Sequence, residues 1–334
     1  MNLSHSNVAC CTSCWLAFVG SALAQTPPPT VAPTSTYPTK VVRLVVPFQP
    51  GGTTDITARL MAQKMSEAWK RPVAVDNRPG ASGMIGADVV AKSPPDGYTV
   101  LVSSTQEIAI NQHVFKKMSY DPAKDFAPVT LATSTPLVLV IHPSLPVKSV
   151  QELITLARAR PAQLTFASPG TGSVQHLSGE LLKTNQKIDM IHVPYKGVGQ
   201  LIPDLIGGQV SMFFAGMPPV MPHVRTGKLR ALAVTTTTRS AAAREIPTMR
   251  EAAVPGFDIS NWFGVFVPTG TPKEIIASLN SEMVSALRQP DVKEKLAAHG
   301  AEAVGGTPNE LERFVQTETQ KYSKLVMASG VKAD

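Results

Sequence analysis

Val41-Val42-Arg43-Leu44-Val45-Val46 runs straight into Pro47-Phe48-Gln49-Pro50-Gly51-Gly52-Thr53-Thr54-Asp55, and the reading of this join decides the fold. The β-branched run has the length and composition of a buried strand, and the Pro/Gly stretch after it is a turn. Apolar residues then recur at Ile56, Leu60, Met61, Met65, Ala68 and Trp69, which is one face of a helix. A strand delivered through Gly-Gly onto a helix start leaves backbone N–H groups unpaired and pointing into the turn, a cradle for an anion. Glycine admits a ligand oxygen there because no Cβ stands in its way. The pattern returns where Leu164-Thr165-Phe166-Ala167-Ser168 leads through Pro169-Gly170-Thr171-Gly172-Ser173 into a helical run carrying Val174, Leu177, Leu181 and Leu182. Two such cradles predict two α/β lobes facing one small anionic ligand.

Strand-like and helix-like runs alternate on either side of these joins, the pattern of sheets covered by helices. The loops at 47–54, 77–83 and 103–106 each follow the carboxyl end of an expected strand, the edge at which open α/β sheets bind ligands. Further strands are expected at 137–141, 164–167, 188–192, 210–214, 229–235 and 265–267, with helices at 149–160, 174–183, 199–206 and 219–226. Thr271-Pro272-Lys273-Glu274 and Thr307-Pro308-Asn309-Glu310 both read as a Thr N-cap, a Pro at the first helical position and a Glu at the third. They predict helices over 272–288 and 308–329, the second stopped by Gly330.

At the other end, Trp15-Leu16-Ala17-Phe18-Val19-Gly20-Ser21-Ala22-Leu23-Ala24 is an apolar run closing on Ala-x-Ala, the core and cleavage site of a secretory leader. The leader is expected over 1–24, although its start carries no Lys or Arg. It is followed by a Pro/Thr-rich tether over 25–39. Cys10, Cys11 and Cys14 all fall within the leader, so the exported chain is expected to have no thiol nucleophile, disulfide or cysteine metal site. The net charge of +7 favours anionic ligands. The basic residues are dispersed and aromatics amount to 6%, which argues against nucleic acid.

Enzyme signatures do not appear. The seven histidines show no metal-ligand spacing, Gly170-Thr171-Gly172-Ser173 lacks the third glycine of a dinucleotide fingerprint, and Ser173 is not in a nucleophile elbow. Ser173 and His176 read more simply as a helix cap and a pocket wall than as nucleophile and base. No enzyme activity, cofactor or metal is expected. The residues expected to contact ligand are Phe48, Gly51, Gly52, Thr53 and Thr54 in the first loop, Ala81 and Ser82 in the second, and Ser104 and Thr105 in the third. Ser168, Thr171, Gly172, Ser173 and His176 are expected from the second cradle, with Tyr195, Lys196 and Ala215 at later strand ends. Asp55 is expected to brace its loop, since it would repel an anion, and Trp262 to pack at a hinge.

The ordered set of motifs carries a family resemblance. Pro47 to Asp55 with Ala58-Arg59 is joined by Asn77-Arg78-Pro79-Gly80-Ala81, Asp125-Phe126-Ala127-Pro128-Val129 and Ser168 to Ser173 with His176-Leu177. His192-Val193-Pro194-Tyr195-Lys196-Gly197, Arg230 to Thr235 and Trp262-Phe263-Gly264-Val265 complete it. Together they resemble the receptors of tripartite tricarboxylate transporters, the Bug-type extracytoplasmic solute-binding proteins. The resemblance implies a two-lobed periplasmic-binding-protein (Venus flytrap) fold, each lobe a mostly parallel sheet flanked by helices. Chain crossings are expected near 140 and 264, giving one lobe of 40–142 plus 264–334 and another of 143–263. It also implies a monomeric periplasmic receptor that binds a mono-, di- or tricarboxylate, aromatic acids included, and delivers it to a transporter's membrane subunits. In the family the carboxylate is held by backbone amides and waters. Two segments depart from the family pattern: Phe214 is followed by Ala215-Gly216 instead of an Asp, and the loop after Ser104 carries Gln106 and Glu107. A ligand sensor signalling to a membrane protein and a secreted α/β hydrolase remain as alternatives at this stage.

Overall fold

A computed structural model describes residues 37–195 and 197–332; the expected leader, residues 25–36 of the expected tether, and Lys196 lie outside the described residues. Tyr37, within the stretch read as tether, is packed against the fold. Its ring sits 5.8 Å from Trp69 and 5.1 Å from Tyr98, and its hydroxyl donates to Gly97 O at 2.6 Å.

The first elements are β1 (Val42–Val46), α1 (Thr53–Trp69), β2 (Val73–Asn77), α2 (Met84–Ala91) and β3 (Thr99–Ser104). A π-helical turn at Gln106–Ile110 then flows into α3 (Asn111–Val114). The 16-residue strand β4 (Phe126–Ile141) follows. Next come α4 (Val150–Ala159), β5 (Thr165–Ser168), α5 (Val174–Gln186), β6 (Ile191–Pro194), α6 (Val198–Ile206), β7 (Met212–Gly216), α7 (Met217–Arg225) and β8 (Arg230–Val234). The chain ends through β9 (Ser260–Pro268), α8 (Lys273–Arg288), α9 (Pro290–Ala298), β10 (Glu302–Ala303) and α10 (Pro308–Ser329).

β4 belongs to two sheets. Its first part pairs antiparallel with β9 as far as Pro136↔Ser260, while Leu137–Ile141 pairs with β7 and β8. The strand order is therefore β2-β1-β3-β9-β4 on one side and β4-β7-β5-β6 on the other. The class expected from the sequence holds, but the sheets are mixed. Parallel strand pairing is confined to β1–β3 and β5–β7, because β9 runs counter to the first set and β4, antiparallel to β9, runs counter to the second. The pairing changes hands at 136/137 and again at 259/260.

Each sheet is covered on both faces, so its strands alternate between two cores. Val42, Leu44, Val46, Val100, Val102, Val265 and Val267 face Ala58, Met61 and Met65 of α1 and Leu279 and Met283 of α8. Val45, Leu101, Trp262 and Phe266 face the opposite way, into a core that continues along Leu137, Leu139 and Ile141. Val138 and Val140 turn to a third cluster with Phe213, Ala215 and Val220. α10 has the expected capping box, with Thr307 Oγ1 accepting from Glu310 N–H and the Glu310 carboxylate accepting from Thr307 N–H at 2.7 Å. The matching signal at 271–274 misleads. Thr271 Oγ1 donates to Pro268 O at 2.7 Å to close a turn, and α8 begins at Lys273 with no side-chain cap. Trp262 packs at the crossing as expected, fully buried, its indole N–H donating to Glu318 Oε2 at 2.9 Å. Among the described residues no helix is long and apolar enough to cross a membrane.

Candidate functional site

The carboxyl ends of β1, β2, β3 and β5 carry the four loops singled out in the sequence. In the first, Gly51 and Gly52 are exposed, Thr53 is half-buried and Thr54 is buried. Gly51 N–H donates to Asp55 Oδ2 at 2.9 Å, whereas the N–H groups of Gly52, Thr53, Thr54 and Asp55 have no partner among the described residues. Free donors at the start of a 17-residue helix present a local field that favours an anion. Asp55 is the brace. Its carboxylate also accepts from Arg59 Nε at 2.9 Å and Asn77 Nδ2 at 3.0 Å, and Asn77 Nδ2 donates again to Phe48 O at 3.0 Å. Burial alone would raise the Asp55 carboxyl, but the hydrogen bonds from Arg59, Gly51 and Asn77 outweigh it and hold it below the usual range. Phe48 is half-buried against the core under α1 and walls the loop.

The second loop is strained. Gly80, Ala81, Ser82 and Gly83 all have positive φ, at 128°, 47°, 53° and 83°. Two consecutive non-glycine residues in the left-handed region persist only where surrounding contacts enforce them, and such strain concentrates at functional sites. Ala81 and Ser82 are exposed, and Ser82 O accepts from Asn111 Nδ2 at 3.0 Å.

Behind this loop lies Glu107, fully buried in the π-helical turn. Its Oε2 accepts from Ser103 Oγ at 2.9 Å, Ser104 N–H at 2.7 Å and Ser104 Oγ at 2.9 Å; its Oε1 has no partner and lies against Gly83. Burial raises this carboxyl and the three hydrogen bonds offset it only in part, so it is pushed up to about 7. Ser104 is thus spent on holding Glu107. Thr105 is also buried, accepting from Trp262 N–H at 3.0 Å. The polar group of this loop that reaches outward is Gln106, which donates through Nε2 to Asn111 Oδ1 at 2.6 Å and to Gly172 O at 3.2 Å.

The second cradle is tied largely to itself. Gly170 O accepts from Ser173 Oγ at 2.7 Å and Ser168 Oγ at 2.9 Å, and Gly172 N–H donates to His176 Nδ1 at 3.0 Å. His176 stacks on His192 with centroids 3.6 Å apart, and His192 Nε2 lies 2.7 Å from Ser168 Oγ. Burial, aided by His176, lowers His192 to about 4, so His192 is neutral near pH 7. Ser173 and His176 do not pair as nucleophile and base, because the Ser173 hydroxyl donates to Gly170 O while Nδ1 of His176 accepts the Gly172 amide. Thr171 is exposed.

The structure therefore brings together the second loop, the third loop and the second cradle through one chain of bonds: Ser82 O, Asn111, Gln106, Gly172 O. Gly172 also abuts Val114, for a Cβ there would come within 2.7 Å of Val114 Cγ1. Tyr195 lies beside Gly170, but its hydroxyl donates to Asp204 Oδ2 at 2.9 Å. Ala215 is fully buried in the third core cluster and presents no surface to the cleft in this conformation. Gln106, Asn111 and His192 were not among the expected contacts. Gln106 alone had a signal, its departure from the family pattern. Among the described residues no group of three or more His, Cys, Asp or Glu gathers to hold a metal.

The chain is similar to known proteins along most of its length. The profile of the "Tripartite tricarboxylate transporter family receptor" family matches residues 57–331. Protein BugT of Bordetella pertussis is 40% identical over 320 residues, covering 95% of this chain and 98% of that protein. Rpa4515 of Rhodopseudomonas palustris, solved with adipate, superposes with a TM-score of 0.82 at 42% identity over 89% of this chain and 99% of that one. MatC of the same organism, solved with malate, gives 0.78 at 34% identity over 87% and 100%.

Proposed function

Because this chain belongs to the tripartite tricarboxylate transporter receptor family, a family of solute-binding receptors and not enzymes, we propose that it captures a small organic carboxylate and delivers it to the membrane subunits of such a transporter. The exported monomer does so in the periplasm. The observation that carries this reading is the run of unpartnered N–H groups at Gly52–Asp55, in the loop at the carboxyl end of β1 that Asn77 of β2 ties down. It is supported by the adipate and malate bound to Rpa4515 and MatC. The ligand carboxylate sits on the first cradle, and the rest of the acid reaches toward Ser82, Gln106 and Thr171. Residues 40–136 with 260–332 act as one lobe and 137–259 as the other, closing about β4 and β9.

Titration calorimetry of the mature chain against mono-, di- and tricarboxylates tests this: binding without turnover is expected, and steady release of a chemically altered product would sink it. Gly52→Val gives the local test. Gly52 has an ordinary φ of −80°, and an added Cβ meets only Gln49 O, at 4.0 Å. The fold should survive with its melting temperature nearly unchanged, while the branched side chain screens the free amides and weakens binding about tenfold or more. Unaltered affinity would reduce the loop to a turn.

A further inference from the structure

We infer that Gln106 reads the end of the ligand remote from the first cradle, and that it selects an acid whose far end carries a hydrogen-bond donor, a hydroxyl or an amide N–H, over one carrying a second carboxylate. The inference rests on the receptor reading above and adds the ligand class.

The polarity of the Gln106 side chain is fixed from both ends. Ser82 O and Gly172 O are backbone carbonyls and can only accept. Ser82 O requires Asn111 to present its amide nitrogen there, which turns Asn111 Oδ1 toward Gln106. Asn111 Oδ1 and Gly172 O then both require the Gln106 nitrogen, and its two N–H groups are consumed at 2.6 and 3.2 Å. What remains is Oε1, without a partner among the described residues, on a half-buried side chain held between the third loop and the second cradle. It accepts and cannot donate.

The neighbouring hydroxyls do not compensate. Those of Ser104, Thr105, Ser168, Ser173 and Tyr195 are engaged by protein partners. Ser82 and Thr171 keep hydroxyls that serve either role, so Gln106 alone in this part of the site imposes a sign. Glu107, one residue on and fully buried without a counter-cation in contact, adds to that sign from behind the loop once it ionises above pH 7. A carboxylate brought against Oε1 meets another acceptor with no proton between them and loses its water. A hydroxyl or amide supplies the missing proton. Discrimination built this way reaches about tenfold or more.

The test is titration calorimetry on the mature chain with length-matched probes: adipate against adipamate and 6-hydroxyhexanoate, succinate against succinamate and 4-hydroxybutyrate. The half-amide or hydroxy acid should bind about tenfold or more tightly than its dicarboxylate. Gln106→Leu should bring each pair within about threefold, and Gln106→Lys should reverse the order. The melting temperature of each variant without ligand reports whether the fold is intact. Tighter binding of the dicarboxylates by the wild type, or a preference that survives Gln106→Leu, overturns the inference while leaving the receptor reading standing. If none of the probes, and no other acid in the wider carboxylate panel, binds, the receptor reading itself falls and the inference with it.

Discussion

At pH 8, Glu107→Gln should melt on the order of 5 °C above the wild type, and at pH 4.5 the two should coincide. Glu107 is fully buried, faces no cation and leaves Oε1 unbonded, so removal from water outweighs the three hydrogen bonds on Oε2. Its folded value of about 7 lies above the ordinary 4.5, which means that the folded chain holds this proton more tightly than the unfolded one. The stability the proton contributes is therefore complete below pH 4.5, falls as pH rises toward 7, and is gone above it. The gap corresponds to about 3 kcal/mol. Asp88 on α2, Tyr120, His113 on α3 and Glu318 on α10 lie on the elements around this turn, and among the described residues no ion pair joins Glu107 to the cations of α10, where Lys321 is paired with Glu318. Glutamine mimics the protonated acid and does not titrate. Thermal melts of both chains from pH 4.5 to 8.5 check this, and curves that stay parallel would show that Glu107 is ionised throughout without cost.

Gly83→Ala should act in the opposite direction, destabilising the fold. Gly83 sits at φ 83°, where a Cβ costs about 1 kcal/mol, and that Cβ would come within 2.6 Å of Glu107 Cδ and 2.7 Å of Cγ. The carboxyl cannot swing aside without abandoning Ser103 and Ser104, so the substitution should cost on the order of 3–5 kcal/mol. It should also reshape the strained loop at 80–83 and with it the ligand site. A double-mutant cycle separates the causes. In a Glu107→Ala background the obstructing atoms are gone, and Gly83→Ala should cost only the backbone strain, about 1 kcal/mol. Equal penalties in both backgrounds would place the whole effect in φ.

The βα joins were legible because their chemistry is local: β-branched strand, glycine turn and helix face are contiguous at 42–65 and again at 165–182. The first eleven residues of β4 were not legible, since Pro128, Pro136 and the intervening Thr and Ser residues break the strand pattern. The pairing tolerates them through irregular register at Pro128/Thr130 and Leu131/Thr133. Thr271 and Thr307 show the same limit at the scale of one turn, for identical signals cap α10 and fail at α8 because Thr271 is claimed by Pro268. In the site, the loops could be found but not the use of their side chains. Thr105 is engaged by Trp262, Ser168 by His192 and Tyr195 by Asp204, partners that only the tertiary fold brings near. The open backbone donors and Gln106 are what these engagements leave over.

One strand shared by two sheets also orders the steps by which the chain assembles. Leu137 to Val234 supplies every strand of one sheet without interruption: the end of β4, then β5, β6, β7 and β8. The other sheet is assembled from distant pieces. β1, β2 and β3 have no route to β4 except through β9, so they wait for residues 260–268. Closing that separation carries the larger loop entropy, and pairings of long sequence separation form late. Pulse-labelled hydrogen exchange during refolding should accordingly protect Leu139 and Phe213 before Val102 and Val265, and the reverse order would contradict this sequence of events. β9 is thus the keystone of the first sheet, and a chain released before Pro268 is made would have one finished sheet and two unpaired edges open to other chains.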